Sequence, residues 1–259
     1  MPDKIIDPCF IPLGDLRVAS LIPAQLNDPF SGEPPEICEI VALDLCKYIE
    51  ANQREWQQNF GFDDKKEGPV KGKMFGVLAV EDKQGNLGYL AAFSGKFAGS
   101  SSPNLFVPSL FDVSTNNNFI TKGMRALSAF STEITNLEKQ ADKESGRAAL
   151  ALRQMRKEKS QSLQDELFSH YHFLNSAGQE KSLVDIFKDF NGMKPPSAAG
   201  ECAAPKLLHY AFNHNMKALA IAEFWWGNTV KPVERKHRHF YPACENKCRP
   251  ILGYILGEF

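Results

Sequence analysis

The sequence contains no apolar run near the roughly 20 residues that a membrane-spanning helix needs. Its longest such stretch, residues 218–226, has the length of one buried strand and is broken by Glu223. A charged-then-apolar leader is also missing, because Asp3, Asp7 and repeated prolines interrupt the first residues, so a cytoplasmic location is expected. Net charge is nearly absent, at −1 over 259 residues. That excludes nucleic-acid binding through bulk charge and leaves only local clusters to do it. There is no Gly-x-x-x-x-Gly-Lys-Ser/Thr loop for phosphates, no Cys-x-x-Cys pair, and no internal repeat. The six cysteines of such a chain are not a disulfide framework.

What remains is a globular composition, 43% hydrophobic and 24% charged, long enough for a sizeable core. Prolines 8, 12, 23, 29, 34 and 35 make residues 1–35 an extended segment, which Phe10, Leu13, Leu21, Ile22 and Phe30 pack onto the body. Ile37, Val41, Leu45, Tyr48 and Ile49 recur at helical spacing, predicting a helix from Glu36 to about Asn59 that ends before Gly61. Cys38 and Cys46 lie in it as buried thiols. Two apolar stretches, 74–80 and 87–93, flank Gly85-Asn86 and predict a hairpin covered on both faces. Gly76 and Gly88 are expected where other groups approach the backbone closely.

A narrow apolar stripe through Leu127, Ile134, Leu137, Leu152, Met155, Leu163 and Leu167 predicts an antiparallel helical arm over about 123–175, with Gly146 near its tip. Lys143, Arg147, Arg153, Arg156, Lys157 and Lys159 make the arm basic: a solvated face, or a contact for nucleic acid, a partner or a second copy. Leu183, Val184, Ile186 and Phe187 suggest one more helix, stopped by Asn191-Gly192.

The last quarter concentrates the chemistry. Pro205 in a first helical turn puts Cys202 at that helix's start, and Pro242 places Cys244 and Cys248 at the start of the next. Helix starts favour thiolates. Three thiolates aimed at one point would hold zinc and leave a fourth position, for which His239 and His237 are the nearest candidates. Glu201 adjoins Cys202 as a candidate ligand or general base. Glu223 is the one charge in the 218–226 strand; it either reaches solvent or meets an Arg, a Lys or the metal site. Lys231, Arg235, Lys236, Arg238 and Arg249, interleaved with Trp225, Trp226 and Tyr241, form a basic aromatic patch suited to stacking on and neutralising RNA.

The strings Gly72-Lys73-Met74-Phe75-Gly76-Val77-Leu78, Gly88-Tyr89-Leu90-Ala91-Ala92-Phe93-Ser94-Gly95-Lys96, Gly200-Glu201-Cys202-Ala203-Ala204-Pro205-Lys206-Leu207-Leu208 and Ala222-Glu223-Phe224-Trp225-Trp226-Gly227, with Asn59-Phe60-Gly61 and His239-Phe240-Tyr241-Pro242, resemble the N-terminal extension of some bacterial RluA-type pseudouridine synthases. The resemblance runs over nearly the whole chain. It implies an RNA-modification context, with tRNA or rRNA and a synthase catalytic domain as partners. The family's catalytic His-Arg-Leu-Asp motif is not in this sequence.

A weaker resemblance is to the zinc-dependent nucleobase deaminases: a hairpin, a helix opening on Cys202, a strand, then a helix opening on Cys244 and Cys248. Ala204 stands where the family's catalytic Glu would fall, and the second motif is one residue longer. The combined expectation is an α/β or α+β domain, possibly deaminase-like, from residues 1–122 and 176–259, with the arm inserted. Its leading function is a non-catalytic RNA-binding accessory domain; the alternatives are a zinc-dependent hydrolase acting on a base, using Glu201, and an interaction module, dimeric through the arm.

Overall fold

The computed structural model describes residues 7–14, 16–98, 103–111, 119–140, 142–229 and 234–257. In chain order the elements are β1 (Ile11–Pro12), α1 (Glu36–Asn52), β2 (Lys73–Glu81), β3 (Leu87–Phe93), α2 (Phe119–Gln140), α3 (Lys143–Ser169), β4 (His172–Leu174), β5 (Glu180–Ser182), α4 (Leu183–Asn191), α5 (Ala203–Asn213), β6 (Lys217–Trp226), β7 (Phe240–Tyr241) and α6 (Glu245–Leu256). The mixed α/β class expected from the sequence is present. No helix among the described residues is long and apolar enough to cross a membrane.

The hairpin β2–β3 organises a five-stranded antiparallel sheet in the order β1-β3-β2-β6-β7. Its turn is built by Asp82, whose Oδ1 accepts from the Gln84 and Asn86 amides at 2.8 Å each, while Gly85 takes φ +82. Side chains alternate across the sheet. Phe75, Val77, Tyr89, Ala91, Phe224 and Trp226 face α1; Leu78, Val80, Leu90, Ala92 and Ile221 face α5 and α6. A register shift at Ala79/Val80 against β6 breaks the alternation. It turns Leu219 to the α1 side, whereas strict period 2 would keep it with Ile221.

The α1 face is closed by aromatic rings: Phe75, Phe93, Phe97, Phe106, Phe60 and Trp56 contact one another at centroid separations of 4.2–6.4 Å. Burying each ring is worth about 1.5–3 kcal/mol. This cluster explains why α1 ends at Asn52 rather than near Asn59. The Asn52 side chain donates back to the Tyr48 carbonyl at 2.7 Å, and the chain then turns so that Trp56 enters the cluster.

The opposite face is closed by α5, approached so closely that a Cβ on Gly76 would lie 2.9 Å from that of Ala203. Likewise Gly88 leaves room for the Phe10 ring. The helical arm consists of α2 and α3, running from 119 to 169. α2 ends at Gln140 and α3 begins at Lys143, where the Asp142 carboxylate caps α3 by accepting from the Ser145 amide at 2.8 Å; Gly146 lies within the first turn of α3. The arm ends earlier than 175 because Tyr171 and Phe173 are fully buried in the core and the chain becomes β4. Basic residues of α3 such as Arg147 and Lys159 are exposed, while Arg153 pairs with Glu138.

Candidate metal centre

Two helices begin at the same place above the sheet. Cys202 is the N-cap of α5, with extended backbone (φ −75, ψ 158), and Cys244 is the N-cap of α6 (φ −75, ψ 136). Neither cap offers a side-chain hydrogen bond to its own helix, so both thiols remain available. Cys248, one turn into α6, lies on the same side. The Cys244 Sγ is 3.9 Å from that of Cys202 and 3.3 Å from that of Cys248, and all three sulfurs lie within 4.8 Å of one another. A tetrahedral centre with metal–sulfur bonds of about 2.3 Å sets its sulfurs about 3.8 Å apart. The three cysteines are therefore close enough to bind one metal ion. Pro205 and Pro242 mark the two helix starts in the sequence, whereas the meeting of the three thiols is a property of the fold.

The thiols share charge unequally. Cys244 is held well below the ordinary thiol range because Cys202 and Cys248 both hydrogen-bond to it and the Lys247 and Cys248 amides point at it. Cys202 and Cys248 are pushed up, as partners of a thiolate that already carries the charge. Cys38 and Cys46 in α1 contrast with them: burial is the main cause that raises these to about 12 and about 11, as for core thiols.

Glu223 completes the surroundings, and the structure resolves its role. It points to the α5 side of β6, and its Oε1 accepts from the Ala204 amide at 3.1 Å, capping α5 from another element. Burial pushes its carboxyl up to about 7, against the lowering effect of that amide. A void of about 10 Å³, room for about one water, lies between Glu223, Ala204 and the 27–34 segment. That segment is tied to β6 and to the approach to α6: Asn27 exchanges two hydrogen bonds with the Ile221 backbone, and the Pro29 carbonyl accepts from the Ala243 amide.

Glu201 takes a different place from the one expected. Its Oε1 accepts from the Tyr171 hydroxyl, and its Oε2 is buried without a partner among the described residues. Two buried lysines lie near it. Lys206, 1% exposed, donates to the Phe93 carbonyl; Lys73 donates to the Ser94 and Lys96 carbonyls at 3.1 and 2.5 Å. Burial lowers both to about 8. Glu201 thus belongs to a polar cluster behind α5, outside the thiol group.

His239 is a correction as well. It is exposed, its carbonyl accepts from the Trp225 amide, and its ring is not among the atoms that converge with the thiols. Arg238 precedes it with φ +63, and β7 follows it before α6 begins. His237 instead packs edge-on to Trp226 and Phe62.

The basic aromatic patch is partly dismantled. Trp226 is 1% exposed, with its Nε1 donating to Gln53, so its ring is core and offers no stacking face. Arg238 pairs with Glu50, and Arg249 makes two hydrogen bonds to Glu245 and lies over the Phe30 ring. Arg235, Lys236 and Tyr241 stay together around an open concavity, with Trp225 under the Arg235 guanidinium, and Lys231 lies outside the described residues.

Sequence reasoning missed Lys206, though a lysine one turn after Cys202 inside an apolar helix was a signal. No protein-family model, curated protein or solved structure matches this chain.

Proposed function

We propose that this chain is a zinc-binding, RNA-contacting accessory domain that serves a pseudouridine synthase without performing the isomerisation itself. The observation that carries the metal part is the meeting of Cys202, Cys244 and Cys248 at two helix starts. Zinc suits an all-thiolate set, and both helix dipoles favour the negative charge of the ligands. Holding one ion there would pin α5 to α6 and fix the β6–β7 edge between them. The RNA part rests on the strings shared with the synthase extension, on Arg235 and Lys236 beside an open concavity, and on the exposed basic side of α3. RNA binding measured against salt tests it. Affinity for a structured tRNA or rRNA fragment should fall steeply as salt rises. Binding that ignores salt, or no binding, contradicts it.

A second reading, a divergent zinc-dependent hydrolase acting on a base, is favoured by Glu223 rather than Glu201. Glu223 is the buried carboxyl beside the thiols, and its raised pKa suits it to hold and return a proton near neutral pH. Zinc would supply an activated water at the position left open by three ligands. Incubating zinc-loaded protein with cytidine, adenosine and RNA, and assaying ammonia release, tests this. Release abolished by Glu223→Gln supports it; no release from any substrate removes it.

A further inference from the structure

The Arg235 guanidinium lies over two aromatic rings, 5.3 Å from the Trp225 centroid and 5.1 Å from that of Tyr241. Both rings are themselves fixed. Trp225 Nε1 donates to the Gly227 carbonyl at 3.0 Å, and its indole lies against Gly72, where a Cβ would come within 2.4 Å of the ring. The Tyr241 hydroxyl accepts from the Lys236 amide at 2.8 Å, and Tyr241 pairs across the sheet with Glu223. The Arg235 backbone is tied at both its amide and its carbonyl to the Thr229 hydroxyl.

Among the described residues, nothing accepts a hydrogen bond from this guanidinium. Arg153, Arg238 and Arg249 each have a carboxylate, from Glu138, Glu50 and Glu245. Glu223, the carboxyl nearest in the sheet, is tied to the Ala204 amide. Glu234 lines the same concavity but makes no ion pair with Arg235. The concavity measures about 820 Å³, with Lys236, His239, Thr229 and Asn228 on its wall. A planar fork of five donors, stacked in place with its edge free, is arranged for two parallel hydrogen bonds to a phosphate. Its rotamer is set before binding, so little ordering opposes capture.

We infer that the Trp225–Arg235–Tyr241 stack is a binding site for a single phosphate group, carried either by a free nucleotide or by an RNA backbone. The RNA source rests on the function proposed above; the anion site itself does not. Because Tyr241 pairs with Glu223 and lines the small void beside it, a captured phosphate would bring its nucleoside toward that void.

The test is a chemical-shift titration of the Arg235 Nε–H resonance, assigned with Arg235→Gln. Inorganic phosphate, 5′-AMP and a short single-stranded oligouridine are added in separate arms. Saturable shifts are expected with phosphate and AMP. Arg235→Gln should weaken binding of each ligand at least about tenfold, and Arg235→Lys, which keeps the charge but loses the fork, should recover only part. For RNA, the salt slope should fall by about one phosphate contact. If phosphate and AMP saturate the shift while RNA does not bind, the anion site stands and the RNA reading falls. If RNA binds wild type and Arg235→Gln equally, the phosphate site is overturned and RNA contact lies elsewhere. No saturable shift with any ligand also overturns the site.

Discussion

The start of α5 divides two polar clusters of opposite character. On one side, Lys73 and Lys206 direct their donors at three carbonyls at and just beyond the end of β3, and Tyr171 meets Glu201. On the other, the Cys202, Cys244 and Cys248 thiols have no side-chain hydrogen-bond partners but one another among the described residues. The lysine cluster uses its polar capacity to tie the end of the β2–β3 hairpin to α5, which is a structural task. The thiol cluster keeps sulfur lone pairs aimed at a common point, which is a ligand-binding task. Burial and perturbed protonation occur in both, so those features do not separate site from scaffold. Unused coordinating capacity does.

The largest effect should come from breaking the scaffold side. Lys206→Ala removes a buried cation and leaves Glu201 and the Phe93 carbonyl uncompensated, which should cost about 3–5 kcal/mol in urea unfolding. The folded fraction should still bind metal. A loss below about 1 kcal/mol would mean that the lysine cluster is not structural.

Breaking the thiol side should give the reverse pattern. At zinc about a thousandfold above its dissociation constant, wild type should gain about 4 kcal/mol of stability, and a chelator should remove it. Cys244→Ser should abolish that zinc-dependent shift in melting temperature while changing metal-free stability little. A zinc effect that survives the substitution would show that the centre is not the ligand set.

Glu223 sharpens the comparison, because it adjoins the thiols yet is tied to a backbone amide. Its carboxyl is raised from 4.5 to about 7 by burial. Between those pH values the unfolded chain releases a proton that the folded chain keeps. Metal-free protein should therefore lose up to about 3 kcal/mol as pH rises through that window, with no further loss above it. In Glu223→Gln this component should be missing from a pH series of unfolding curves.

The smallest effect is expected at His239. His239→Ala should leave zinc affinity unchanged and stability within about 0.5 kcal/mol, because the ring is exposed and away from the sulfurs. A tenfold loss of zinc affinity would restore it as the fourth ligand.

Much of this arrangement was legible in local chemistry. Pro205 and Pro242 mark helix starts, Gly85-Asn86 marks the hairpin turn, and Gly192, at φ +71, ends α4 as its position suggested. These signals act over a few residues, within reach of sequence pattern. What was not legible depends on segments distant in the chain. Glu223 meets an amide 19 residues away, and Lys206 meets a carbonyl 113 residues away. The end of α1 follows from a ring cluster that includes Phe106. Leu219 changes face through a register shift, which no alternation pattern contains. His239 is near Cys244 in sequence, but the chain between them is taken up by β7, which pairs with β6.

The central claim is that the three cysteines hold one zinc ion and leave a position open. The direct measurement is zinc per chain by elemental analysis, combined with X-ray absorption at the zinc edge. One zinc per chain is expected, with three sulfur neighbours at about 2.3 Å and one lighter atom. Protein without stoichiometric metal after zinc reconstitution, or zinc whose neighbours are not these three sulfurs, would contradict it.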